Sequence, residues 1–151
     1  MQFGQVDWNK KMPRKPKNRI PLRNKSPFGW WVASYLERLE YEDEDENNPG
    51  RRCIAWENTI ILKAKDREAA YRKAEKIGRL GNDLEAYQTI DGRKAIWKYE
   101  GLTSLLPIYE ELEDGAEIIW RAHANRTVKK IQSWVKSKDK LETFDDNEQE
   151  V

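Results

Sequence analysis

The sequence contains a single cysteine and a single histidine among its 151 residues. A disulfide within the chain is therefore impossible. A zinc site built from histidine and cysteine is also excluded, because such sites need at least three of these ligands. No apolar run approaches the roughly 18 residues that cross a bilayer, and the N-terminus lacks the apolar core of a signal peptide. These absences predict a cytoplasmic protein that spans no membrane.

Glycine-rich phosphate loops are also missing. The closest pattern, Gly78-Arg-Leu-Gly81, closes a predicted helix instead of opening one. Anions bind at helix N-termini, so this polarity is wrong for a nucleotide site. We therefore expect no metal and no cofactor.

Basic and acidic residues are nearly balanced in number but segregated along the chain. There are 28 basic and 27 acidic residues, which gives a net charge of +1. Residues 1–27, the basic arm, carry several prolines, eight basic residues and one acid, a net charge of +7. The eight cations are Lys10, Lys11, Arg14, Lys15, Lys17, Arg19, Arg23 and Lys25. Residues 137–151, the acidic tail, carry six acids and two lysines, a net charge of −4. We expect the arm to be extended or disordered, the tail to be disordered and residues 28–136 to fold.

Two strands open the predicted domain. Aromatic and β-branched residues beginning at Phe28 predict a first strand that ends at about Tyr41. The acidic run at 42–46 and the Asn-Asn-Pro-Gly that follows it predict a solvated loop. Between Ile54 and Ala64 the even positions are apolar except for an asparagine, and this period of two predicts a second strand with one buried face.

The periodicity then changes to that of helices. Asp66 can cap a helix in which Ala70, Ala74 and Ile77 recur at spacings of four and three, and Gly81 is its predicted end. Thr127 can start a second, short helix. The apolar stripe of that helix consists of Val128, Ile131, Trp134 and Val135.

Two Asp-Gly pairs predict β-hairpins. Asp91-Gly92 is the predicted turn of a hairpin over residues 84–100, and Asp114-Gly115 that of a second hairpin joining 105–112 to 117–123. Pro107 lies in the second hairpin, so its strand is expected to be an edge strand or bulged.

The resulting element order is β-β-α-β-β-β-β-α. Hairpins without alternating strand and helix are typical of an α+β domain with a mostly antiparallel sheet and, in this case, two helices on one face. Two helices cannot cover both faces, so the other face is predicted to be polar or a binding surface.

Four short segments follow one another along the chain, and they are Trp30-Trp-Val-Ala-Ser-Tyr35, Trp56-Glu-Asn-Thr-Ile60, Trp97-Lys-Tyr-Glu-Gly-Leu102 and Asp114-Gly-Ala-Glu-Ile118. In this order they resemble a family of small bacterial proteins classified as a domain of unknown function. The resemblance covers roughly residues 29–124 and leaves both charged termini outside. It implies a bacterial source and a compact single domain, and it supplies no reaction, cofactor or catalytic residue.

Several residues are candidates for a functional surface. Trp30 and Trp31 are adjacent, so a strand points them to opposite faces, and one of them is expected on the face without helices. If Trp56 faces the core, Glu57 faces away from it, where neighbouring strands could bring other charged residues. Those residues are Glu100, Glu117 and Arg121. Paired carboxylates can perform acid and base chemistry, but cross-strand ion pairs are also common on exposed sheet faces.

The histidine and the cysteine each allow a chemical and a structural interpretation. His123 lies between Arg121 and Arg126 without a nucleophile motif nearby, and a polar residue at a strand end is the simpler interpretation. Cys53 follows two arginines that could favour a thiolate, but a small buried hydrophobe at a strand start is favoured.

No catalytic constellation emerges, so the sequence predicts a non-catalytic protein. We expect it to be an accessory protein of the immunity or defence type that binds another protein. The expected binding surface includes Trp30, Trp31, Trp56, Glu57, Glu100, Arg121 and His123. The first alternative is nucleic-acid binding by the eight cations of the basic arm, with phosphates as their partners. The second alternative is a hydrolase that uses Glu57 with Glu100 or Glu117.

Overall fold

The computed structural model describes residues 19–80 and 88–146. Strand β1 spans Trp30–Tyr41, β2 Ala55–Lys63, β3 Gln88–Ile90 and β4 Arg93–Pro107. Helix α1 spans Arg67–Leu80 and α2 Val128–Gln132. The chain divides into a first unit that ends at Ile119 and a second that begins at Trp120. No helix within the described ranges is long and apolar enough to cross a bilayer.

The four strands form one antiparallel sheet in the order β2-β1-β4-β3. β1 is flanked by β2 on one side and by β4 on the other. The Asp91-Gly92 turn joins β3 to β4, and both turn residues have positive φ, as the tight hairpin turn predicted for this pair requires. The predicted α+β class and antiparallel sheet are confirmed.

Helix α1 covers one face of this sheet. Asp66 caps the helix as predicted, because its Oδ1 accepts a hydrogen bond of 2.8 Å from the amide of Ala69. The buried alanines of α1 pack on Trp31, Ala33 and Leu62. Ala70 and Ala74 are both fully buried and small, so the helix can approach the strands closely. We refer to this side of the sheet as the helix face and to the other side as the open face, although Val32 and Ser34 of β1 are buried on that other side.

Strand β4 is irregular where it pairs with β1. The register shifts twice, between Ser34 and Tyr35 and again between Leu36 and Glu37 of β1, which leaves Thr103 and Glu100 of β4 as bulge residues. Pro107 is the last residue of β4 and pairs with Trp31. Proline has no N–H to give to a further strand, so its position at the end of the ladder agrees with the expectation of an edge or bulged strand.

The predicted second hairpin is wrong, because residues 108–127 contain no strand. The turn at Asp114-Gly115 does form, with Gly115 at φ 85° and the amide of Ala116 donating to the carbonyl of Glu113. However, the amide of Glu117 donates to the Glu110 carboxylate and not to a neighbouring strand. Leu105 and its neighbours instead extend β4, so the sheet has four strands where six were predicted.

The second unit contains α2. Thr127 caps this helix as predicted, and its Oγ1 accepts from the amide of Lys130. The helix ends at Gln132, so Trp134 and Val135 of the predicted stripe lie beyond it. Of the two helices that the sequence predicted for one face of the sheet, α1 packs there. Short 3₁₀ turns follow at Lys138–Lys140 and Glu142–Phe144.

The described end of the basic arm is attached to the first unit. A 3₁₀ turn spans Leu22–Asn24, the Tyr109 hydroxyl donates to the carbonyl of Arg23, and the Ser26 hydroxyl donates to the carbonyl of Ile108. The predicted boundaries of the arm, the domain and the tail remain predictions.

Candidate interaction edge

Trp30 and Trp31 occupy different environments, as expected for neighbours in a strand. Trp31 is buried on the helix face, and its Nε1 donates a hydrogen bond of 3.1 Å to the carbonyl of Ala64. Trp30 is half-buried, and the Lys63 ammonium lies 5.4 Å from its ring centroid. A cation over the face of an indole is attracted by the ring quadrupole, so the two side chains hold each other in place on the open face.

Strand β2 forms one edge of the sheet and pairs only with β1 among the described strands. At one end of this pair the amide of Ala64 donates to Gly29, and at the other the amide of Leu39 donates to Ile54. Hydrogen-bonded and non-hydrogen-bonded pairs alternate in an antiparallel ladder. The even-numbered residues of β2 therefore direct their backbone groups towards β1, whereas the odd-numbered residues direct theirs towards the free edge.

The helix-face side of this edge carries an exposed tryptophan that packs on a second one. Trp56 is 46% exposed and meets Trp97 edge to face, with ring centroids 6.2 Å apart. The core cluster that α1 forms with Trp31, Ala33 and Leu62 does not include Trp56. On the open face, Ile61 is 47% exposed on the same strand. β2 thus presents apolar side chains on both faces beside unpaired backbone groups, and such exposed apolar area is enriched at interfaces.

Charged residues complete the open-face side of the edge. Glu57 and Lys63 are both exposed and, being odd-numbered, both have backbone groups directed outwards. The carbonyl of Lys63 accepts a 2.9 Å hydrogen bond from the Lys73 ammonium of α1, which leaves one lone pair for a further donor. Thr59, between them, shares a hydrogen bond of 2.8 Å with Ser34. We call the odd-numbered residues from Ala55 to Lys63, together with Trp56, the β2 edge.

Glu100 does not join Glu57 in a carboxylate pair. Glu100 is a bulge residue of β4, and its carboxylate accepts a hydrogen bond of 2.7 Å from Nε of Arg38. This hydrogen bond is the largest cause of the raised pKa of Arg38. Glu117 lies in the segment without strands. An acid and base pair needs carboxylates in one cleft, and Glu100 is instead engaged in an ion pair at the surface.

A buried carboxylate lies next to that ion pair. Glu40 is only 5% exposed and is surrounded by the cations Arg38, Arg51 and Lys98. The hydrogen bond from Lys98 lowers the pKa of Glu40, and the charge of Arg38 acts in the same direction, while burial opposes both. This cluster ties β1 and β4 to the loop that follows β1, which is a structural role.

Three of the five acids in the loop after β1 form ion pairs with residues of the domain itself. Arg51 binds Glu44 at 3.2 Å, and Arg93 binds Asp43 at 2.6 Å. The Lys94 ammonium lies 4.0 Å from the Glu42 carboxylate. The basic arm, whose described end is attached to residues 108 and 109, is not needed to balance these three acids.

The remaining candidates lie away from strands. Arg121 and His123 belong to the second unit, and His123 packs on Trp134 with ring centroids 4.8 Å apart. The expectation that His123 ends a strand is therefore wrong, because the second hairpin does not form. Cys53 is exposed and precedes β2, so the expected packing role is also wrong.

Three of the eight arm cations lie within the described residues. Arg19, Arg23 and Lys25 are exposed. The other five lie outside the described residues, and they are Lys10, Lys11, Arg14, Lys15 and Lys17. In the described ranges, no group of three or more His, Cys, Asp or Glu is arranged to hold a metal ion.

The sequence did not identify Lys63, Ile61 or Trp97 as members of a surface. A usable pattern was nevertheless present, since the odd positions of β2 carry Glu57, Thr59 and Lys63 opposite an apolar even face. The pattern gives the two faces of the strand, but it does not show that β2 is at the edge of the sheet. Strand order depends on contacts distant in sequence, which periodicity does not encode.

Together these features define a small α+β protein with a free, partly apolar sheet edge and no described catalytic cleft. The chain belongs to the family described as Domain of unknown function (DUF4288), whose sequence pattern matches residues 30–120. The match covers the four-stranded sheet and α1, including the β2 edge. None of the curated proteins and none of the solved structures matches the chain significantly.

Proposed function

We propose that the protein is a non-catalytic binding protein that engages another polypeptide through the β2 edge. One observation carries this proposal: β2 has backbone groups directed outwards and also has exposed apolar side chains on both of its faces. An extended chain added to such an edge gains backbone hydrogen bonds, and the flanking side chains provide specificity.

The free part of the opposite edge is less suited to this role. β3 pairs only with residues 93–95 of β4, so the rest of β4 has no described neighbour on its outer side. That stretch is interrupted by two register shifts and ends in Pro107, and these are features that protect edges from pairing. β2 has no register shift against β1 and contains no proline.

The charged site residues support binding more than hydrolysis. Glu57 is exposed on an open sheet face, while Glu100 is held by Arg38. Exposed charges at the rim of an interface provide partner selection and register. We therefore assign Glu57 to recognition.

Photocrosslinking in cells tests the proposal. A photoreactive phenylalanine analogue is placed at Ile61, which is 47% exposed on β2, and in a control variant at Lys76, which is exposed on α1. We expect an adduct with a polypeptide from position 61 and none from position 76. If position 61 yields no adduct with any polypeptide, including the protein itself, the β2 edge is not a binding surface and the proposal fails.

A further inference from the structure

We infer that the polypeptide bound at the β2 edge is a second copy of this chain, paired antiparallel through β2 about a twofold axis at Ile60. The inference rests on the function proposed above. It names the partner and the register, and both follow from the backbone directions and the charges of β2.

Backbone geometry limits the possible registers. Only odd-numbered residues of β2 direct N–H and C=O groups outwards, so an antiparallel copy must place odd residues opposite odd residues. A twofold axis at Ile60 satisfies this condition. It places Glu57 opposite the second copy's Lys63, and Thr59 opposite its Ile61.

Charge complementarity selects this register. An axis at Thr59 places Glu57 opposite Ile61, and an axis at Asn58 places it opposite Thr59. Lys63 is the one cation within β2, and only the axis at Ile60 places it opposite Glu57. Symmetry forms that pair twice. Opposite charges directly across a ladder are stabilising, whereas like charges are destabilising.

The same two residues cannot form this ion pair within one chain. Glu57 and Lys63 are six residues apart in one extended strand, which separates their Cα atoms by about 20 Å. Within the described residues, no salt bridge is formed by Glu57. A neighbouring copy brings Lys63 to about 5.5 Å from Glu57, measured between Cα atoms.

The apolar residues of the edge agree with the same register. Ile60 meets its own symmetry mate on the helix face, and Ile61 meets Thr59 on the open face. The result is a continuous eight-stranded sheet with both α1 helices on one face.

A single nine-residue strand is a short interface. Stable dimers bury roughly 1,200–2,000 Å² in total, so we expect a reversible dimer that is populated at about 100 µM and dissociated at about 1 µM. Sedimentation velocity across this range measures the dimer fraction directly.

Charge reversal provides the test, in the full chain. Glu57→Lys places lysine opposite lysine at both symmetry-related positions, and Lys63→Glu places glutamate opposite glutamate. We expect each variant alone to dimerise at least about tenfold more weakly than the unmodified chain. An equimolar mixture of the two variants restores opposite charges at both positions, so it should form a heterodimer about as well as the unmodified chain dimerises. The control Lys76→Glu, on the exposed surface of α1, should leave dimerisation unchanged.

The possible outcomes separate this inference from the proposed function. A heterodimer in the mixture, together with weakened single variants, establishes the partner and the register. Dimerisation that neither charge reversal weakens overturns the inference. A chain that stays monomeric at 100 µM, and whose position 61 crosslinks in cells only to a different protein, also overturns it but leaves the proposed function standing.

Discussion

Trp56 meets Trp97 edge to face at a centroid distance of 6.2 Å, although β1 lies between the strands that carry them. The pair spans the central strand on the helix face. Trp56 is therefore supported by a second aromatic ring while 46% of it remains accessible. A rigid, exposed aromatic side chain of this kind is well suited to anchor a binding partner.

Trp56→Ala should weaken association at the β2 edge more than it destabilises the fold. Loss of a half-exposed aromatic pair costs about 1 kcal/mol of folding free energy. Loss of an anchor at an interface typically costs about 2 kcal/mol or more of binding free energy. Denaturant unfolding and sedimentation velocity measure the two quantities separately. A variant that loses several kcal/mol of stability but associates normally would show that Trp56 has a structural role only.

Gly78→Ala should destabilise the protein, although alanine is normally better than glycine inside a helix by about 1 kcal/mol. A Cβ at Gly78 would lie 2.3 Å from Cε2 of Tyr99, whose ring is buried beneath α1. The hydroxyl of Tyr99 is also held, because it donates to the Glu75 carboxylate at 2.7 Å. We expect a net loss of about 1–3 kcal/mol in denaturant unfolding.

The matched control for this variant is Arg72→Ala, on the exposed surface of α1, which should change stability by less than about 0.5 kcal/mol. An increase in stability for Gly78→Ala would mean that the close packing of α1 on Tyr99 is wrong.

Glu40→Gln should destabilise the protein at neutral pH, because it removes a stabilising charge that the unmodified chain loses only in acid. Lys98 and Arg38 hold the folded-state pKa of Glu40 below its ordinary value of 4.5. A lowered folded-state pKa contributes stability above the unfolded value, and this contribution is lost as the pH falls through the folded-state value. We expect the free energy of unfolding of the unmodified chain to exceed that of the variant by about 1–3 kcal/mol at pH 7. The difference is not larger because Lys98 is partly exposed, so solvent screens its attraction to Glu40.

The difference between the two proteins should shrink as the pH falls below 4.5. Urea unfolding at a series of pH values measures this, with Glu111→Gln, at an exposed position, as the control. A difference that stays constant from pH 7 to pH 3 would show that the charge of Glu40 does not stabilise the fold.

Nucleic-acid binding by the basic arm makes a separate quantitative prediction. If all eight arm cations contact phosphates of duplex DNA, the logarithm of the binding constant falls against that of the salt concentration with a slope of about −7. The arm's end is attached through Arg23 and Ser26, so the truncation that preserves the fold removes only residues 1–18. Three cations then remain, and the slope should fall to about −3. Titrations that this truncation leaves unchanged would exclude the arm as a nucleic-acid site.

The sequence predicted the local structure of the first unit well, because short-range signals determine it. The Asp66 cap, the alanine spacing of α1 and the Asp91-Gly92 turn each depend on a few neighbouring residues. The alternation in β2 likewise predicted which side chains face α1. Such local rules hold when the tertiary contacts agree with them.

The failures came from features that local patterns do not determine. Asp114-Gly115 has the same residues as the first hairpin turn and also forms a turn, but the amide of Glu117 is bound by the Glu110 side chain. The turn motif alone therefore does not predict whether the flanking segments pair. The position of β2 at the sheet edge, on which the candidate surface depends, follows from long-range strand order in the same way.

Amide hydrogen exchange along β2, measured residue by residue at about 10 µM and about 500 µM protein, tests whether β2 pairs with a second copy. Asn58, Ile60 and Leu62 direct their amides towards β1 and should be protected at both concentrations. The amides of Glu57, Thr59 and Ile61 point outwards, so they should exchange rapidly at the low concentration and become protected at the high one. Rapid exchange of these three amides at both concentrations would contradict the pairing of β2 with a second copy.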